Sequence, residues 1–395
     1  MSTKSSSWIA VQDFLQGSDS QTVDCFRQTR WDELCRIASG LSGDLKCIAL
    51  DQVTSGLNNI VRVLEFSDQT RWVARVHIRR SNPPTVNSTK LNTEIATMQF
   101  IKENSDLPVP QVFAYEVDEN NSVNAAFMLM ELLPGIVAMD ALGGRKAHRG
   151  IIPIEHRQNF YRSVAKSHVQ LTSLRLPKIG TIVKNSKGGY ECGPIPGIGG
   201  PFDTAAAFFE AWADTVKFKR DKETITRMTQ RGPIPAERMI TIIDNFPSQI
   251  KAMASRLSFC NEGPFPLDHD DFLHSNIMVD ENSFDVTGII DWEGACTVPW
   301  ELVAFPDFLT AMPVSFDLPQ NYGQDGQPLD EEVQETWRER GEYIELVKSA
   351  ELEDNLLSSC LGSKRSQAIS YLYGAYTSVG KLGTYDRVIE ELERI

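Results

Sequence analysis

The chain has 395 residues, 41% of them hydrophobic, and 39 Lys plus Arg against 53 Asp plus Glu give a net charge of −14. This acidic balance excludes a function that depends on a basic face for nucleic acid, and it gives no support for binding to an anionic membrane. The length predicts two or three structural units with a sizeable core.

Cysteine usage and the N-terminal residues bear on cellular location. The seven cysteines are scattered and never spaced C-x-x-C, which predicts reduced thiols and not a disulfide framework or a zinc site. Residues 1–8 are polar, unlike a secretory signal peptide, and no apolar run approaches the roughly 20 residues of a membrane span. We therefore expect a cytoplasmic protein.

The N-terminal third reads as a helical extension followed by strands. Residues 1–45 are polar, with one predicted helix near 30–40, where apolar residues fall on one face. Three strand-like runs follow at 47–53, 60–66 and 72–78, joined by short polar connections. This pattern predicts a small antiparallel sheet.

The remainder of the chain changes from strands to helices. An amphipathic helix is predicted at 89–104, and two further strands at 111–117 and 125–130. Beyond a seam near 131–136, helical periodicity dominates these segments: 153–174, 204–228, 238–257, 330–348 and 367–391. We predict an α+β fold, in which a small sheet-rich lobe at 46–131 precedes a larger, mainly helical lobe at 132–395.

The chemically dense segment surrounds a predicted hairpin of strands 276–279 and 286–290. Asp271 lies five residues before Asn276, and Asp291 follows the second strand directly. Because a hairpin returns the chain to its start, all three side chains are expected to converge. Two carboxylates and an amide are oxygen donors that suit Mg²⁺ when phosphates complete its shell, and phosphoryl transfer needs a carboxylate that accepts the proton of the attacking hydroxyl.

Other interpretations of this segment are weaker. A solvated acidic turn would not be followed by an apolar strand that leads directly into Asp291-Trp292-Glu293. A metal phosphohydrolase built on His269-Asp270 would need paired histidines upstream, and the histidines there stand singly. A serine hydrolase has no support because G-x-S-x-G is absent. The H-x-D-x-x-x-x-N spacing from His269 to Asn276 is typical of kinases.

His269 to Asn276, together with the I-D-W-E run at 290–293, resembles the signature of the aminoglycoside phosphotransferase and choline kinase superfamily, the small-molecule relatives of protein kinases. The phrases L-P-V-P at 107–110, F-M-L-M-E-L-L-P-G at 127–135 and V-P-W-E-L at 298–302 resemble the phosphotransferase enzymes abundant in filamentous fungi. The resemblance runs in order from about residue 50 to 310 and implies a bilobal protein-kinase-like fold. In such a fold the lobe at 46–131 would bind the nucleotide, and the lobe at 132–395 would carry the catalytic loop and the acceptor pocket.

The resemblance also implies roles for residues of the catalytic segment. Asp271 would be the catalytic aspartate, and Asn276 and Asp291 would be the Mg²⁺ ligands. His269 would brace the catalytic loop from the core. Asp270 stands where many relatives have glycine.

On the nucleotide side, the loop at 54–59 lies between the first two strands, where a kinase covers the phosphates. Gly56 and Asn59 are similar to the family's Gly-x-x-Asn loop. Arg75 stands on the third strand where protein kinases carry lysine, and guanidinium and ammonium groups are not interchangeable. Glu94, nineteen residues further on, is the expected ion-pair partner of Arg75.

The seam resembles the hinge that binds adenine through backbone groups of Glu131 and Leu133, which leaves ATP or GTP open. We predict Mg²⁺-dependent transfer of the ATP γ-phosphate to a small-molecule hydroxyl. Acidic residues near the loop favour an amine-bearing acceptor: Asp268, Asp270 and Glu293.

Two alternatives remain. One is an inactive pseudokinase that binds a nucleotide or a partner protein, for which Arg75 is the best argument. The other is a protein kinase, which lacks support because no A-P-E element follows Asp291.

Overall fold

Backbone contacts divide the chain into two units, and the computed structural model describes these residues: 8–79, 84–144, 147, 151–232, 234–383 and 385–394, without the side chains of 84–87, 315 and 379. The first unit comprises Met1–Phe160 and Asp271–Gly294, and the second comprises Tyr161–Asp270 and Ala295–Ile395. The first unit therefore extends beyond the predicted nucleotide lobe and includes the predicted hairpin. The lobes remain a prediction as functional divisions, and residues 1–7 of the predicted extension lie outside the described residues.

A five-stranded antiparallel sheet forms in the first unit because alternating apolar runs are joined by short polar turns. Its strands are β1 (Cys47–Ser55), β2 (Asn59–Phe66), β3 (Arg71–His77), β4 (Val112–Glu116) and β5 (Phe127–Glu131). They are ordered β1-β2-β3-β5-β4, with Arg75 opposite Val61 on one side and Met128 on the other. The five predicted strands are confirmed.

Three short helices, of which one was predicted, belong to the same hydrophobic core as this sheet. They are α1 (Val11–Gly17), α2 (Ser20–Gln28) and α3 (Trp31–Leu41). The shared core contains these buried side chains: Phe14, Phe26, Leu34, Ile60, Leu64 and Val76. Helices α1 and α2 escaped prediction because each spans about two turns and is mostly polar, so apolar periodicity is too brief to register. Contact with the sheet stabilises them.

The hairpin of the catalytic segment belongs to a second, three-stranded sheet of the first unit. After helix α4 (Pro84–Asn104) and strands β4 and β5, the chain forms β6 (Ile136–Val137), which pairs with β11 (Ile277–Val279). Strand β11 pairs in turn with β12 (Val286–Ile289). The seam after β5 is thereby attached directly to the hairpin.

Gly135 is required where the seam meets the hairpin. Its φ is +97°, and a Cβ placed on it would lie 2.3 Å from the Val279 carbonyl oxygen and 2.6 Å from Thr287 Oγ1. The Thr287 hydroxyl itself donates to the Pro134 carbonyl at 2.7 Å. A side chain at this position is therefore both strained and without room.

Gly135→Ala is expected to lower the free energy of unfolding by about 2–4 kcal/mol, because it combines left-handed strain with a clash against backbone. Chemical denaturation of the purified protein measures the change. Gly40→Ala in α3 is the matched control, since its Cβ would meet no heavy atom of the described chain within 4 Å. It should be neutral or stabilising by up to about 1 kcal/mol, and equal losses in both variants would contradict the interpretation.

Helices dominate the chain beyond the seam, which confirms the predicted α+β class. They are α5 (Ile154–Ser173), α6 (Ala205–Thr215), α7 (Lys222–Thr229), α8 (Ala236–Leu257), α9 (Glu331–Ala350), α10 (Leu356–Gly362), α11 (Lys364–Gly374) and α12 (Tyr385–Arg394). The predicted helices 204–228 and 367–391 are each broken in two. Within the described ranges, no helix is sufficiently long and apolar to cross a membrane.

The second unit also contains a sheet that the sequence did not predict. Its strands are β7 (Arg175–Leu176), β8 (Gly180–Lys184), β9 (Tyr190–Gly193), β10 (Phe265–Asp268) and β13 (Cys296–Thr297), ordered β7-β10-β13-β8-β9. Runs of two to five residues are too short to show strand alternation, and only long-range pairing defines them. Strand β10 precedes the segment that contains Asp271 and Asn276 in the chain.

A buried histidine of the second unit makes stability sensitive to acid. His168 on α5 is 1% exposed, its Nδ1 lies 3.1 Å from the Tyr343 hydroxyl on α9, and burial lowers its pKa to about 3. Between pH 6.5 and pH 3 the unfolded chain therefore binds a proton at His168 that the folded protein does not. This contribution to stability is complete above pH 6.5 and is lost as the pH falls.

We expect the free energy of unfolding to fall by about 2–3 kcal/mol between pH 7 and pH 4.5 because of His168. His168→Gln should be less stable than wild type at pH 7 but should lose less stability on acidification. Denaturant melts across this range measure both effects. Tyr343→Phe removes the hydroxyl but keeps the imidazole, so it should retain the wild-type slope. An unchanged slope in His168→Gln would contradict the assignment.

Candidate active site

The catalytic loop begins where β10 ends and returns on itself before β11. The Asp271 carbonyl accepts from the Leu273 amide at 2.9 Å, and the Leu273 carbonyl accepts from the Asn276 amide at 2.8 Å. The Asn276 side-chain nitrogen donates to Asp271 Oδ2 at 2.9 Å and to the Asp271 carbonyl at 3.0 Å. These bonds hold the two predicted side chains together and leave the amide oxygen of Asn276 as its available ligand atom.

Asp291 is brought to the same place by the hairpin. Ile277 pairs with Ile289, and the Ile290 amide donates to the Asn276 carbonyl at 2.9 Å. Asp291 has a φ of +65°, an uncommon conformation for a residue other than glycine. Trp292 is fully buried and donates from Nε1 to the Ile289 carbonyl at 3.0 Å, which anchors the chain beyond the strained residue.

Arg75 connects the five-stranded sheet to this turn. Its guanidinium forms an ion pair with Glu94 on α4 through Nη1, and Nη2 donates to Asp291 Oδ1 at 3.2 Å. When the Asn59 amide oxygen faces Arg75, it accepts from Nε at 3.0 Å and from Nη2 at 2.7 Å. The expected Arg75–Glu94 ion pair is present, and residues from four separate segments meet at one guanidinium.

The electrostatic environment of this cluster favours the charged form of Arg75 and disfavours the charged form of Asp291. Burial disfavours the charged form of Arg75, but Glu94 and Asp291 together raise its pKa above the ordinary value. Asp291 is half exposed, yet burial of the rest of the side chain raises its pKa, with Glu293 and Asp271 adding to the shift and Arg75 opposing it. A cation beside Asp291 would relieve this clustering of carboxylates.

A second ion pair in the first unit was missed at the sequence level. Lys90 on α4 donates from Nζ to Glu293 Oε1 at 2.9 Å, and Asn58 donates from Nδ2 to Glu293 Oε2 at 3.3 Å. The sequence predicts a role in amine recognition for Glu293 and indicates no role for Lys90. The only sequence signal for Lys90 is its place one helical turn before Glu94, on the same face of α4.

The remaining nucleotide-side residues are placed as follows. The Gly56 amide donates to the Asn59 carbonyl at 3.0 Å, and a Cβ on Gly56 would meet no described heavy atom within 4 Å. The Glu131 amide donates to the Gln111 carbonyl at 2.9 Å, so its carbonyl is the group left for a ligand. Leu133 is buried, and its side chain occupies the space that a Cβ on Gly288 would take. The roles of Gly56, Glu131 and Leu133 remain predictions.

His269 and its acidic neighbours belong to the second unit. His269 is fully buried, as a bracing histidine would be. The Asp270 amide donates to Asp268 Oδ2 at 3.1 Å, and burial, followed by the charge of Asp270, raises the pKa of Asp268 to about 7. Asp270 has a φ of +67°, a backbone conformation that glycine adopts without strain.

No group of three His, Cys, Asp or Glu side chains arranged to hold a metal ion occurs among the described residues. The predicted ligand pair does not require such a group, because Asn276 supplies an amide oxygen and nucleotide phosphates supply others. Asp291 uses one carboxylate oxygen for Arg75, which leaves the second as a donor. The residues therefore fit a hard cation bound jointly with phosphate.

Comparison with known proteins identifies the family to which this site belongs. Residues 50–300, more than half of the chain, match the phosphotransferase enzyme family. The chain belongs to the phosphotransferase enzyme family. The matched region contains every predicted site residue, and the family membership predicted from the catalytic segment is confirmed.

Relatives within and beyond this family match at lower coverage. Clavilactone A biosynthesis cluster protein Y of Ampulloclitocybe clavipes is 23% identical over 227 residues, which are 56% of this chain and 54% of that protein. Altered inheritance of mitochondria protein 9 of Candida albicans is 35% identical over 86 residues, 20% of this chain and 14% of that protein. The chain thus spans about half, or less, of the length of these relatives.

Solved structures also resemble the protein at low identity. A macrolide 2′-phosphotransferase from Brachybacterium faecium is 15% identical, with 92% of this chain and 96% of that chain covered and a TM-score of 0.41. At that score the likeness carries no argument about substrate.

Proposed function

We propose that this protein is a Mg²⁺-dependent small-molecule kinase that transfers the γ-phosphate of ATP to a hydroxyl group. The supporting observation is the hydrogen-bonded set of Arg75, Glu94 and Asp291, with Asp271 held by Asn276, within a chain of the phosphotransferase enzyme family. Such a set supplies a cation, a brace, ligand oxygens and a base, which are the parts that phosphoryl transfer uses.

Asp271 orients the acceptor hydroxyl and accepts its proton. The hydroxyl oxygen forms a bond to the γ-phosphorus, the bond to the bridging oxygen breaks, and ADP leaves with that oxygen. Asn276 holds the Asp271 carboxylate through its amide nitrogen, so the base is fixed before the acceptor arrives. His269, which is fully buried, would brace the loop.

Asn276 and Asp291 would hold Mg²⁺, which when bound neutralises phosphate charge. The charge balance supports this assignment, because four carboxylates and two cations leave an excess of two negative charges: Glu94, Asp271, Asp291 and Glu293 against Arg75 and Lys90. Arg75 contributes by fixing Asp291 and by its own charge. Phosphates could not approach such a site without a divalent cation.

The nucleotide would lie between the 54–59 loop and the hinge. Gly56 allows the loop backbone to approach the phosphates, Asn59 ties the loop to Arg75, and Glu131 and Leu133 offer backbone groups to the base. The choice between ATP and GTP depends on these backbone contacts. The predicted cytoplasmic location is consistent with a supply of either nucleotide.

The acceptor is a small hydroxyl compound, and an amine-bearing one is the favoured class. Asp268 and Asp270 of the second unit carry this preference, since Glu293 is already paired with Lys90. Aminoglycosides, choline-like amines, sugars and fungal secondary metabolites are the candidate classes. The similarity to clavilactone A biosynthesis cluster protein Y supports a fungal secondary metabolite in particular.

A coupled assay for ADP release, with a library of hydroxyl compounds grouped by charge, tests the proposal. We expect Mg²⁺-dependent turnover with at least one amine-bearing alcohol and none in EDTA. Turnover of neutral or anionic alcohols alone would overturn the amine preference but not the kinase. Mg-ATP binding without turnover of any acceptor would favour the pseudokinase alternative, for which the arginine at position 75 is the argument. Failure to bind Mg-ATP would contradict the kinase and leave only a pseudokinase that binds a partner protein.

A further inference from the structure

Arg75 occupies the position of the usual strand lysine, but its donors are already committed within the protein. One Nη1 hydrogen serves Glu94, Nη2 serves Asp291 and Asn59, and Nε serves Asn59. A guanidinium has five N–H donors, so at most one remains for phosphate. The main role of Arg75 is therefore to join β3, α4 and the Asp291 turn, and phosphate binding is secondary.

Lys90 is the other cation in contact with this cluster. It lies four residues before Glu94 on α4, its side chain is 41% exposed, and its ammonium contacts Glu293, two residues after Asp291. Glu293 also accepts from Asn58 in the loop that precedes β2. The Glu293 carboxylate thus lies between the Lys90 ammonium and Asn58 of the 54–59 loop.

We propose that Lys90 is a phosphate-binding residue and supplies the ammonium that position 75 lacks, with Glu293 as its positioning residue. This inference rests on the proposed kinase function. An ammonium has three donors, so one that pairs with Glu293 can still donate to a phosphate oxygen. The contacts of Glu293 with Lys90 and Asn58 place that charge beside the loop expected to cover the phosphates.

The contacts of Glu293 account for this arrangement. Its two carboxylate oxygens accept separately, Oε1 from Lys90 Nζ at 2.9 Å and Oε2 from Asn58 Nδ2 at 3.3 Å. Because only a fifth of the Glu293 side chain is exposed, its position is well defined.

The test compares Lys90→Met with Glu293→Gln, using calorimetric Kd values for Mg-ATP. Lys90→Met should weaken binding by about ten- to a hundred-fold, the loss expected for a hydrogen bond between charged groups. Glu293→Gln keeps both the ammonium and an acceptor for it but holds the ammonium less firmly, so binding should weaken less, by about three- to tenfold. Lys90→Arg should restore part of the affinity. Thermal melts of each variant confirm folding.

The Arg71–Glu65 pair provides the matched control, since it lies in the five-stranded sheet of the same unit with comparable exposure and an N–O distance of 2.6 Å. Arg71→Gln and Glu65→Gln should bind Mg-ATP as wild type does. Equal losses in Lys90→Met and Glu293→Gln would show a purely structural ion pair and overturn the proposal, as would normal binding by Lys90→Met. Wild-type protein that fails to bind Mg-ATP would instead contradict the kinase function itself.

Discussion

Asp271→Asn is expected to lower kcat by about 10²–10⁴-fold while the affinity for Mg-ATP stays within about threefold of wild type. An asparagine fills the same space and can still accept from the Asn276 amide, which Asp271 does at 2.9 Å. It cannot accept the proton of the acceptor hydroxyl. The loss should therefore fall on the chemical step and not on nucleotide binding.

Steady-state kinetics with the acceptor identified by the ADP-release assay, together with calorimetry of Mg-ATP, separate the two effects. Asp280→Asn is the matched control because Asp280 lies at the turn of the same hairpin, where Oδ1 accepts from the Asn282 and Ser283 amides at 2.9 Å. An asparagine keeps those bonds, so kcat should not change. A kcat of Asp271→Asn within a few-fold of wild type would exclude Asp271 as the base.

Asp291→Asn is expected to weaken Mg-ATP binding on the order of a hundred-fold, because a carboxylate ligand of the cation becomes a neutral amide. This variant isolates charge from structure. An amide oxygen can still accept from Arg75, and asparagine tolerates the positive φ of +65° better than most residues. Unfolding free energy should therefore change much less than affinity.

The affinity loss should depend on the metal. Calorimetry of ATP with Mg²⁺ and with EDTA should show a large difference between wild type and Asp291→Asn in the first condition and little in the second. Asp285→Asn, an exposed carboxylate of the same hairpin turn, should behave as wild type in both. A loss of equal size in EDTA would mean that Asp291 acts without a metal, and the ligand assignment would be wrong.

Both predictions concern residues that the sequence already indicated. This was possible because these residues lie close together in the chain. Asp271 and Asn276 lie within one loop, and the apolar strands of the hairpin are adjacent in the chain, so spacing alone predicts that Asp291 returns beside Asn276. Strands β1 to β3 and helix α4 are similarly visible because each is long enough to display its period. The Arg75–Glu94 pair was expected from the resemblance to kinases, in which a carboxylate of the following helix holds the cation of the third strand.

The second unit was less predictable. Its five-stranded sheet is made of runs as short as Arg175–Leu176 and Cys296–Thr297, which pair with segments far away in the chain. Helices α1 and α2 were not predicted for a related reason. Each has few buried residues, and only their contact with the sheet indicates a helix. Long-range pairing decides these elements, and local propensity does not.

The acidic excess argues against nucleic acid as a partner, and the length of 395 residues predicts more than one unit. The sequence by itself also determined the family and predicted the catalytic loop and the ligand pair, because these depend on residue type at short spacing. Only the tertiary structure decided how the charges are partnered. Arg75 meets Asp291 across 216 residues, and Glu293 meets Lys90 across 203 and Asn58 across 235. Ion pairs between side chains leave no periodic trace in either partner, so the assignment of Lys90 to phosphate and of Arg75 to a brace had to come from the fold.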